Sequence, residues 1–207
     1  MIGQTCGLPL IRGEAGAAVP FARPTYDVPG CESGTYSSAV VVRRGSGATL
    51  QDFLERRVAM NGHNSQSGCN ALKDAYLTEV AHTGPYFSSL LLTGSHRASA
   101  DAVADGSADL CALDAVAWAL YQFAEPDRAA GLEPIHWTRP MPSLPFITSA
   151  KHSDRLPDLR AALAEAVETG AIGIPAAILS ASIADYDPVR EMDLNLKDVT
   201  LAPHGSA

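Results

Sequence analysis

The stretch that decides the fold runs Arg57-Val-Ala-Met-Asn61, then Gly62-His-Asn-Ser-Gln-Ser-Gly68, then Cys69 to Ala81. Its first five residues are typical of a short buried strand, and its last part carries apolar or small residues at helical spacing. The polar loop between them joins the strand directly to the first turn of the helix. This order predicts a strand–loop–helix unit of an α/β protein.

The polar loop has the chemistry of an anion site. The first turn of a helix has backbone N–H groups without intrahelical acceptors and carries about half a positive charge. Ser65 and Ser67 add hydroxyl donors, and Gly68 would let a ligand approach the backbone closely. An ordinary N-cap by Ser65 or Ser67 explains the same residue types, so the loop alone leaves both interpretations open.

The alternation of strand and helix repeats between residues 38 and 138. Strands are predicted at Ser38–Arg43, Arg57–Asn61, Ser89–Thr93, Asp109–Asp114 and Leu132–Thr138, and helices at Cys69–Ala81, Ala98–Asp105, Ala115–Ala124 and from Thr49. This order predicts a parallel sheet with helices on both faces, in which ligands bind beyond the carboxyl ends of the strands. Elsewhere the sequence predicts a strand at Val19–Thr25, a helix at Leu156–Thr169 and a weaker helix at Ala176–Ala184.

More polar residues follow the predicted strands at this edge. Thr93, Ser95 and His96 lie beside a helix start, either as a second anion cradle or with Ser95 as the cap of that helix. Asp114 is either the N-cap of the next helix or the partner of a cationic group on the ligand, because a lone carboxylate facing an anion opposes binding. Their position at one edge of the sheet favours a ligand site.

Composition limits the function classes. The 207 residues are 46% hydrophobic and 18% charged, the profile of a globular chain with one core or two small lobes. A net charge of −8 argues against sequence-independent nucleic-acid binding. No apolar run is long enough to span a bilayer, and the first residues lack the basic segment and apolar core of a secretory signal. The start therefore predicts a cytoplasmic chain or a sequence that begins after its signal.

The cysteines and histidines do not predict a metal site. None of the four cysteines has CxxC spacing, and none of the six histidines forms a helical i, i+4 pair. Cys69 and Cys111 are expected to be buried small residues. Cys6 and Cys31 lie in loops rich in Gly and Pro, and the sequence leaves open whether they pair in an oxidising compartment.

An enzyme would need a nucleophile, a base and an orienting group. Either Ser67 or Cys69 is a nucleophile of a suitable type, and His96 with Asp114 would complete a conceivable triad. However, the chain has no Gly-x-Ser-x-Gly, no P-loop lysine and no GxGxxG after a strand. Binding without catalysis is therefore the favoured function.

Several motifs resemble, in order, those of the phosphonate-binding proteins, the substrate-binding components of phosphate/phosphonate-type ABC importers. They are Tyr36-Ser-Ser-Ala-Val-Val-Val-Arg43, Thr49-Leu-Gln-Asp-Phe-Leu54, Arg57–Asn61, Ser65-Gln-Ser-Gly68, Thr93-Gly-Ser-His96, Ala108–Asp114, His136-Trp-Thr138 and Leu156-Pro-Asp-Leu-Arg160. The resemblance covers roughly residues 30–169, and the Ser-x-Ser-Gly and Thr-Gly-Ser-His pair is its most specific part.

The resemblance implies the type II periplasmic binding protein fold, in which two lobes with parallel or mixed sheets flanked by helices close on a ligand. Lobe A would comprise residues 1–37 and 141–207, and lobe B residues 38–140. Ser65, Gln66 and Ser67 would hold a phosphonate or phosphate, with Tyr36 and His96 alongside and Thr5 facing the cleft from lobe A. The resemblance implies no cofactor, a periplasmic location and an ABC permease as partner.

The sequence departs from the family pattern at its beginning, where the first strands of lobe A are expected. An incomplete lobe A would expose sheet edges, which makes a homodimer through that lobe one expectation. Two alternative functions stay open: a small-molecule biosynthetic enzyme on the same fold, of the pyrimidine-precursor or menaquinone-pathway type, or a remnant that binds nothing.

Overall fold

The computed structural model describes residues 2–203, which fold into short strands and helices. The strands, in chain order, are β1 Ile2–Gln4, β2 Ala18–Thr25, β3 Cys31–Glu32, β4 Thr35–Tyr36, β5 Ser38–Arg43, β6 Arg57–Met60, β7 Ser89–Leu92, β8 Leu110–Asp114, β9 Leu132–Trp137, β10 Met141–Pro142, β11 Phe146–Ser149 and β12 Ala177–Ser180. The α-helices are α1 Gly7–Ile11, α2 Ala71–Glu79, α3 His96–Ala104, α4 Ala115–Ala124, α5 Pro126–Ala129, α6 Leu156–Glu168 and α7 Asp187–Asn195. No helix within these residues is both long enough and apolar enough to cross a membrane.

The chain forms two compact units. The first contains the residues up to Tyr36 and Pro140–Asp193, and the second contains Ser37–Arg139 and the segment from Leu194 onward. The segment from Leu194 differs from the expected assignment of residues 141–207 to lobe A. Leu201 explains the difference, because its side chain is buried in the core of the second unit and its carbonyl accepts a 2.8 Å hydrogen bond from the Phe87 amide.

The second unit has a mixed sheet, with strand order β7-β6-β8-β5-β9. Strands β7, β6 and β8 are parallel, as expected, but β5 runs antiparallel to both β8 and β9. The expectation of a wholly parallel sheet is therefore wrong for β5. The physical reason lies in the chain path, because β5 begins beside Asp114, at the edge where β8 ends.

Both faces of this sheet are covered by helices, as the alternation predicted. The run of Val residues in β5 alternates between two cores: Val40 and Val42 pack with Leu72 and Tyr76 of α2, whereas Val41 packs with residues of α3 and α4. Side chains of successive strand residues point to opposite faces, so one apolar strand serves both cores. This burial fixes the positions of the strand ends at which the polar residues lie.

The first unit is built around an antiparallel sheet with strand order β1-β11-β2-β12. Helix α6 packs on it through Leu163, Leu156 and Leu159, which contact Phe21 and its neighbours. The predicted helix at Ala176–Ala184 is wrong, because Ala177–Ser180 pairs as a strand with β2. Backbone pairing with β2 outweighs the local helical preference of the alanines.

The beginning of β5 is held at the carboxyl end of the second unit's sheet. Ser38 is paired with Asp114 in the antiparallel register, and Ser37 accepts a 3.1 Å hydrogen bond from the amide of Ala115. On its other side, the Ser38 amide donates to Thr138 Oγ1 at 2.9 Å, and the Thr138 amide donates to the Ser38 carbonyl at 2.9 Å. Ser38 therefore lies between Asp114 on one side and Thr138 on the other.

Candidate functional site

The helix after the polar loop begins with a turn that is wider than an α-helical turn. Residues Gln66–Asn70 form a π-helical turn, and the amides of Cys69 and Asn70 both donate to the Ser65 carbonyl, at 3.2 and 3.1 Å. Ser65 is the N-cap, since its Oγ accepts a 2.9 Å hydrogen bond from the Gly68 amide. π-Helical turns are uncommon and occur frequently at functional sites.

Gly68 is required by a close neighbour. A Cβ atom at this position would lie 1.9 Å from Asn61 Oδ1. The space above the glycine is therefore filled by the carboxamide of Asn61, a contact that the sequence did not predict. Ser65, Gln66 and Ser67 are likewise buried, so this turn packs closely against the carboxyl end of the sheet.

The second polar turn is held by its own side chains. Ser95 is the N-cap of α3, and its Oγ accepts a 3.1 Å hydrogen bond from the Ala98 amide. Thr93 Oγ1 lies 2.6 Å from Ser99 Oγ and 3.2 Å from the carbonyl oxygens of Met60 and Ser95. Both hydroxyls thus stabilise the start of α3, and their contact with a ligand stays a prediction.

His96, the first residue of α3, joins the two polar turns. Its Nε2 lies 2.9 Å from Ser67 Oγ, a hydrogen bond between residues 29 positions apart in the chain. The same nitrogen lies 3.4 Å from Asp114 Oδ2. The other Asp114 oxygen accepts a 2.7 Å hydrogen bond from the Ala117 amide, so Asp114 is also the N-cap of α4. Ser67, His96 and Asp114, predicted separately, therefore meet at one point.

The environment of His96 favours the neutral ring. Burial lowers the pKa of His96 from its ordinary value near 6.5, while the carboxylate of Asp114 and the backbone of Ala112 oppose this shift. Because the net direction is downward, the imidazole is uncharged at neutral pH. An uncharged imidazole can still donate one hydrogen bond to an anion.

The contact of Ser67, His96 and Asp114 is not that of a catalytic triad. In a triad, the serine and the carboxylate bind opposite nitrogens of the histidine, which passes a proton from one side to the other. Here both groups approach Nε2. Cys69, the alternative nucleophile, is only 2% exposed. The geometry therefore lacks the relay that an acyl-transfer enzyme needs.

The remaining predicted site residues lie in the first unit. Tyr36 is buried in β4, where it is paired with Met141. The Thr5 amide donates a 3.2 Å hydrogen bond to the Pro145 carbonyl. Their participation in the site stays a prediction. In the chain between Ile2 and Pro203, no group of three or more His, Cys, Asp or Glu side chains is placed to hold a metal ion.

Two further polar groups at this edge of the sheet were not among the predicted ligand-binding residues. Ser38 is fully buried beside Asp114, and Asn61 lies against Gly68. Ser38 Oγ and Asn61 Oδ1 are buried without a hydrogen-bond partner in the described part of the chain. A polar residue at the end of an apolar strand is the signal that could have drawn attention to both.

The fold matches solved binding proteins. The binding protein component of an ABC phosphonate transporter from Pseudomonas aeruginosa aligns with a TM-score of 0.76 and 19% identity, over 94% of this chain and 68% of that one. PhnD1 from Prochlorococcus marinus, solved in complex with methylphosphonate, aligns with a TM-score of 0.72 and 14% identity, over 96% of this chain and 79% of that one. XAC2383 from Xanthomonas citri, bound to chloride, aligns with a TM-score of 0.70 and 16% identity, over 95% of this chain and 76% of that one.

These likenesses define the class as an α/β protein with the type II periplasmic binding protein fold, which confirms the predicted fold class. Residues 2–181 match the family model of the ABC transporter, phosphonate, periplasmic substrate-binding protein. The chain therefore belongs to this family, whose members are substrate-binding proteins rather than enzymes. The biosynthetic-enzyme alternative gains no support. No curated protein matches the chain.

Proposed function

We propose that this protein binds a small oxyanion of the phosphonate or phosphate type at the polar edge of its second unit. Ser65, Gln66 and Ser67 hold the anion at the helix N-terminus, and His96 donates from the side. Methylphosphonate is the natural first ligand to test, since one structural neighbour was solved with it. The family membership supports a role in ABC-type import.

The observation that carries this proposal is the hydrogen bond between Ser67 and His96. It brings a hydroxyl and an imidazole, 2.9 Å apart, to the start of the helix that follows the π-helical turn. Helix N-termini attract anions through their N–H groups and their partial positive charge. Two side-chain donors at such a terminus suit an oxyanion, because each oxygen accepts hydrogen bonds from more than one direction.

The position of Asp114 favours a ligand that carries a cationic group in addition to its anionic one. Its carboxylate lies 3.4 Å from His96 Nε2 and has a side-chain exposure of 15%. A carboxylate beside an anion site opposes a simple anion but pairs with an ammonium group. An aminoalkylphosphonate offers both charges, and we expect it to bind more tightly than methylphosphonate.

The wider role follows from the family. Thr5 and Tyr36 in the first unit, and Thr93 and Ser95 in the second, are further candidate ligand contacts. The loaded protein delivers its ligand to an ABC permease, and the family's description indicates the periplasm as its compartment. A homodimer through the first unit belongs to the same proposal and is tested by the mass of the protein in solution.

The experiment is a calorimetric titration with methylphosphonate. The double variant Ser67→Ala with His96→Ala should bind at least about tenfold more weakly than the wild type, since a hydrogen bond to a charged group contributes about 1.5–3 kcal/mol. A matched control is Ser107→Ala with His63→Ala, which replaces the same residue types at exposed positions. Equal affinity of the double variant and the control would reject the site.

A further inference from the structure

We propose that capture of an oxyanion at this site takes up one proton from solution, which is held on the imidazole of His96. This inference rests on the proposed binding function and adds a chemical event to it. It concerns the protonation of one side chain, so no covalent bond forms or breaks. The proton comes from water or buffer and returns to it when the ligand leaves.

The first step concerns the polar neighbours of the ring. Ser67 Oγ and Asp114 Oδ2 both face Nε2, and both can accept a hydrogen bond. The backbone of Ala112 lies near enough to the ring to favour its protonated form. Nδ1 is buried and has no hydrogen-bond partner within residues 2–203. The neighbours of the ring thus favour a proton on Nε2, and the Asp114 carboxylate together with the Ala112 backbone favours the charged form of the ring.

The second step concerns what keeps the ring neutral without ligand. Burial is the main effect, and the position of His96 at the start of α3 adds the positive end of the helix. Among the elements packed around the His96 ring, β8 supplies the charged group that acts on it, the carboxylate of Asp114. The π-helical turn contributes no charged side chain there, because its residues are Gln66, Ser67, Gly68, Cys69 and Asn70.

The charged residues of α3 itself are engaged elsewhere. Arg97 is paired with Glu125, and Asp101 with Arg128. Burial, which favours the neutral ring, and the Asp114 carboxylate, which favours the charged ring, therefore act on it in opposite directions. A bound oxyanion adds one or two negative charges within hydrogen-bond distance, and an opposite charge at that range favours the protonated histidine.

Protonation also changes what Ser67 offers to the ligand. The imidazolium always carries a proton on Nε2, whereas the neutral ring does so in only one of its two tautomers. With that proton in place, Ser67 Oγ can accept from the ring, and its own hydroxyl proton is directed to the oxyanion. The ligand then receives the Ser67 hydroxyl proton and lies beside the positive charge of the imidazolium. This arrangement makes proton uptake and tight binding parts of one event.

The test is calorimetry of methylphosphonate binding in two buffers that differ in heat of protonation. At about pH 7.5, above the ordinary histidine pKa, the difference in heat gives the number of protons taken up. The ligand's own ionisation contributes equally in all variants. The wild type should therefore take up about one proton more than His96→Gln, which keeps a side-chain amide donor. His63→Gln, at an exposed position of the loop after β6, should match the wild type.

A second measurement does not depend on how well the variant binds. NMR titration of the His96 ring, identified by its absence in His96→Gln, should give a higher pKa with saturating methylphosphonate than without it. An unchanged His96 pKa in a wild type that binds the ligand would overturn the inference and leave the proposed function intact. A wild type that binds neither methylphosphonate nor phosphate would overturn the proposed function and this inference with it.

Discussion

The carboxamide oxygen of Asn61 lies against the backbone of Gly68, 1.9 Å from the point that a Cβ atom would occupy there. The φ angle of Gly68 is not positive, so close contacts, chiefly the one with Asn61, disfavour a larger residue at this position. We expect Gly68→Ala to lower the free energy of unfolding by about 1–3 kcal/mol, as overpacking does in a closely packed region. Chemical unfolding measures the loss, and titration with methylphosphonate should show weaker binding.

The same contact provides a rescue experiment. Adding Asn61→Ala to Gly68→Ala removes the clash and should restore most of the lost stability, which a double-mutant cycle quantifies. Gly173→Ala is the matched control, because an added Cβ there would meet no atom within 4 Å. A double variant no more stable than Gly68→Ala would show that the steric explanation is wrong.

Asp114→Asn separates the charge of this residue from its role as a cap. Asparagine is as good an N-cap as aspartate, so the stability of α4 should be nearly unchanged. The preference for an aminoalkylphosphonate over methylphosphonate should fall about tenfold or more, since a charge-assisted contact is lost. Calorimetry with both ligands gives the ratio. Asp127→Asn, at an exposed position, is the control for a remote change of charge, and an equal ratio in both variants would contradict the prediction.

Asp109 should make the stability of the second unit depend on pH. Hydrogen bonds from the Arg57 guanidinium and amide, and from Arg43, hold the pKa of Asp109 well below its ordinary value, although burial opposes this. The folded-state pKa is thus below the unfolded one. The stabilisation is present above about pH 4 and is lost as the pH falls through the folded-state value.

Asp109→Asn should therefore lower the free energy of unfolding near neutral pH by about 1–3 kcal/mol. Its difference from the wild type should shrink as the pH falls below about 4, where the carboxylate of the unfolded chain takes up a proton, and should be lost below the folded-state pKa. Urea unfolding at several pH values measures both quantities. Asp154→Asn replaces an exposed aspartate and should follow the wild type throughout. A difference that is the same at pH 7 and in acid would exclude the ionised carboxylate as its cause.

The C-terminal segment should stabilise the second unit. The side chain of Leu201 is 4% exposed and packs in that unit's core, whereas Leu194 is 52% exposed. We expect Leu201→Ala to lower the free energy of unfolding by about 2–4 kcal/mol, the usual effect of a large-to-small core substitution. Leu194→Ala, in the same segment, should change it little. Thermal unfolding of the two variants checks the difference, and equal melting temperatures would mean that Leu201 adds no packing energy.

The sequence predicted the strands and helices that are defined by the spacing of their apolar residues. The Val run of β5 and the helical spacing in α4 matched their observed bounds, Ser38–Arg43 and Ala115–Ala124. The direction of β5 was not predictable, because an apolar run reads the same in both orientations. The π-helical turn at Gln66–Asn70 was also missed, since its residues suit an α-helical start equally well.

The candidate site was predicted as a set of residue types but not as a geometry. The sequence placed Ser67, His96 and Asp114 at the ends of three strands, and parallel pairing of β7, β6 and β8 brought those ends to one edge. That Ser67 and Asp114 approach the same nitrogen of His96 depends on tertiary packing. The contact of Asn61 with Gly68 depends on it as well, and no spacing in the chain encodes either.

The pairing of Ser38 with Asp114 has a mechanical consequence. Ser37, Ser38 and Thr138 lie next to the points at which the chain leaves the second unit, and all three are tied to one hydrogen-bonded ladder that includes Asp114 and Ala115. Backbone hydrogen bonds therefore connect Asp114 and Ala115 to the beginning of β5, and the backbone and side chain of Thr138 extend this ladder past the end of β9. A displacement of the Asp114 backbone would thus be transmitted through short hydrogen bonds to the residues at the beginning of β5 and just after β9.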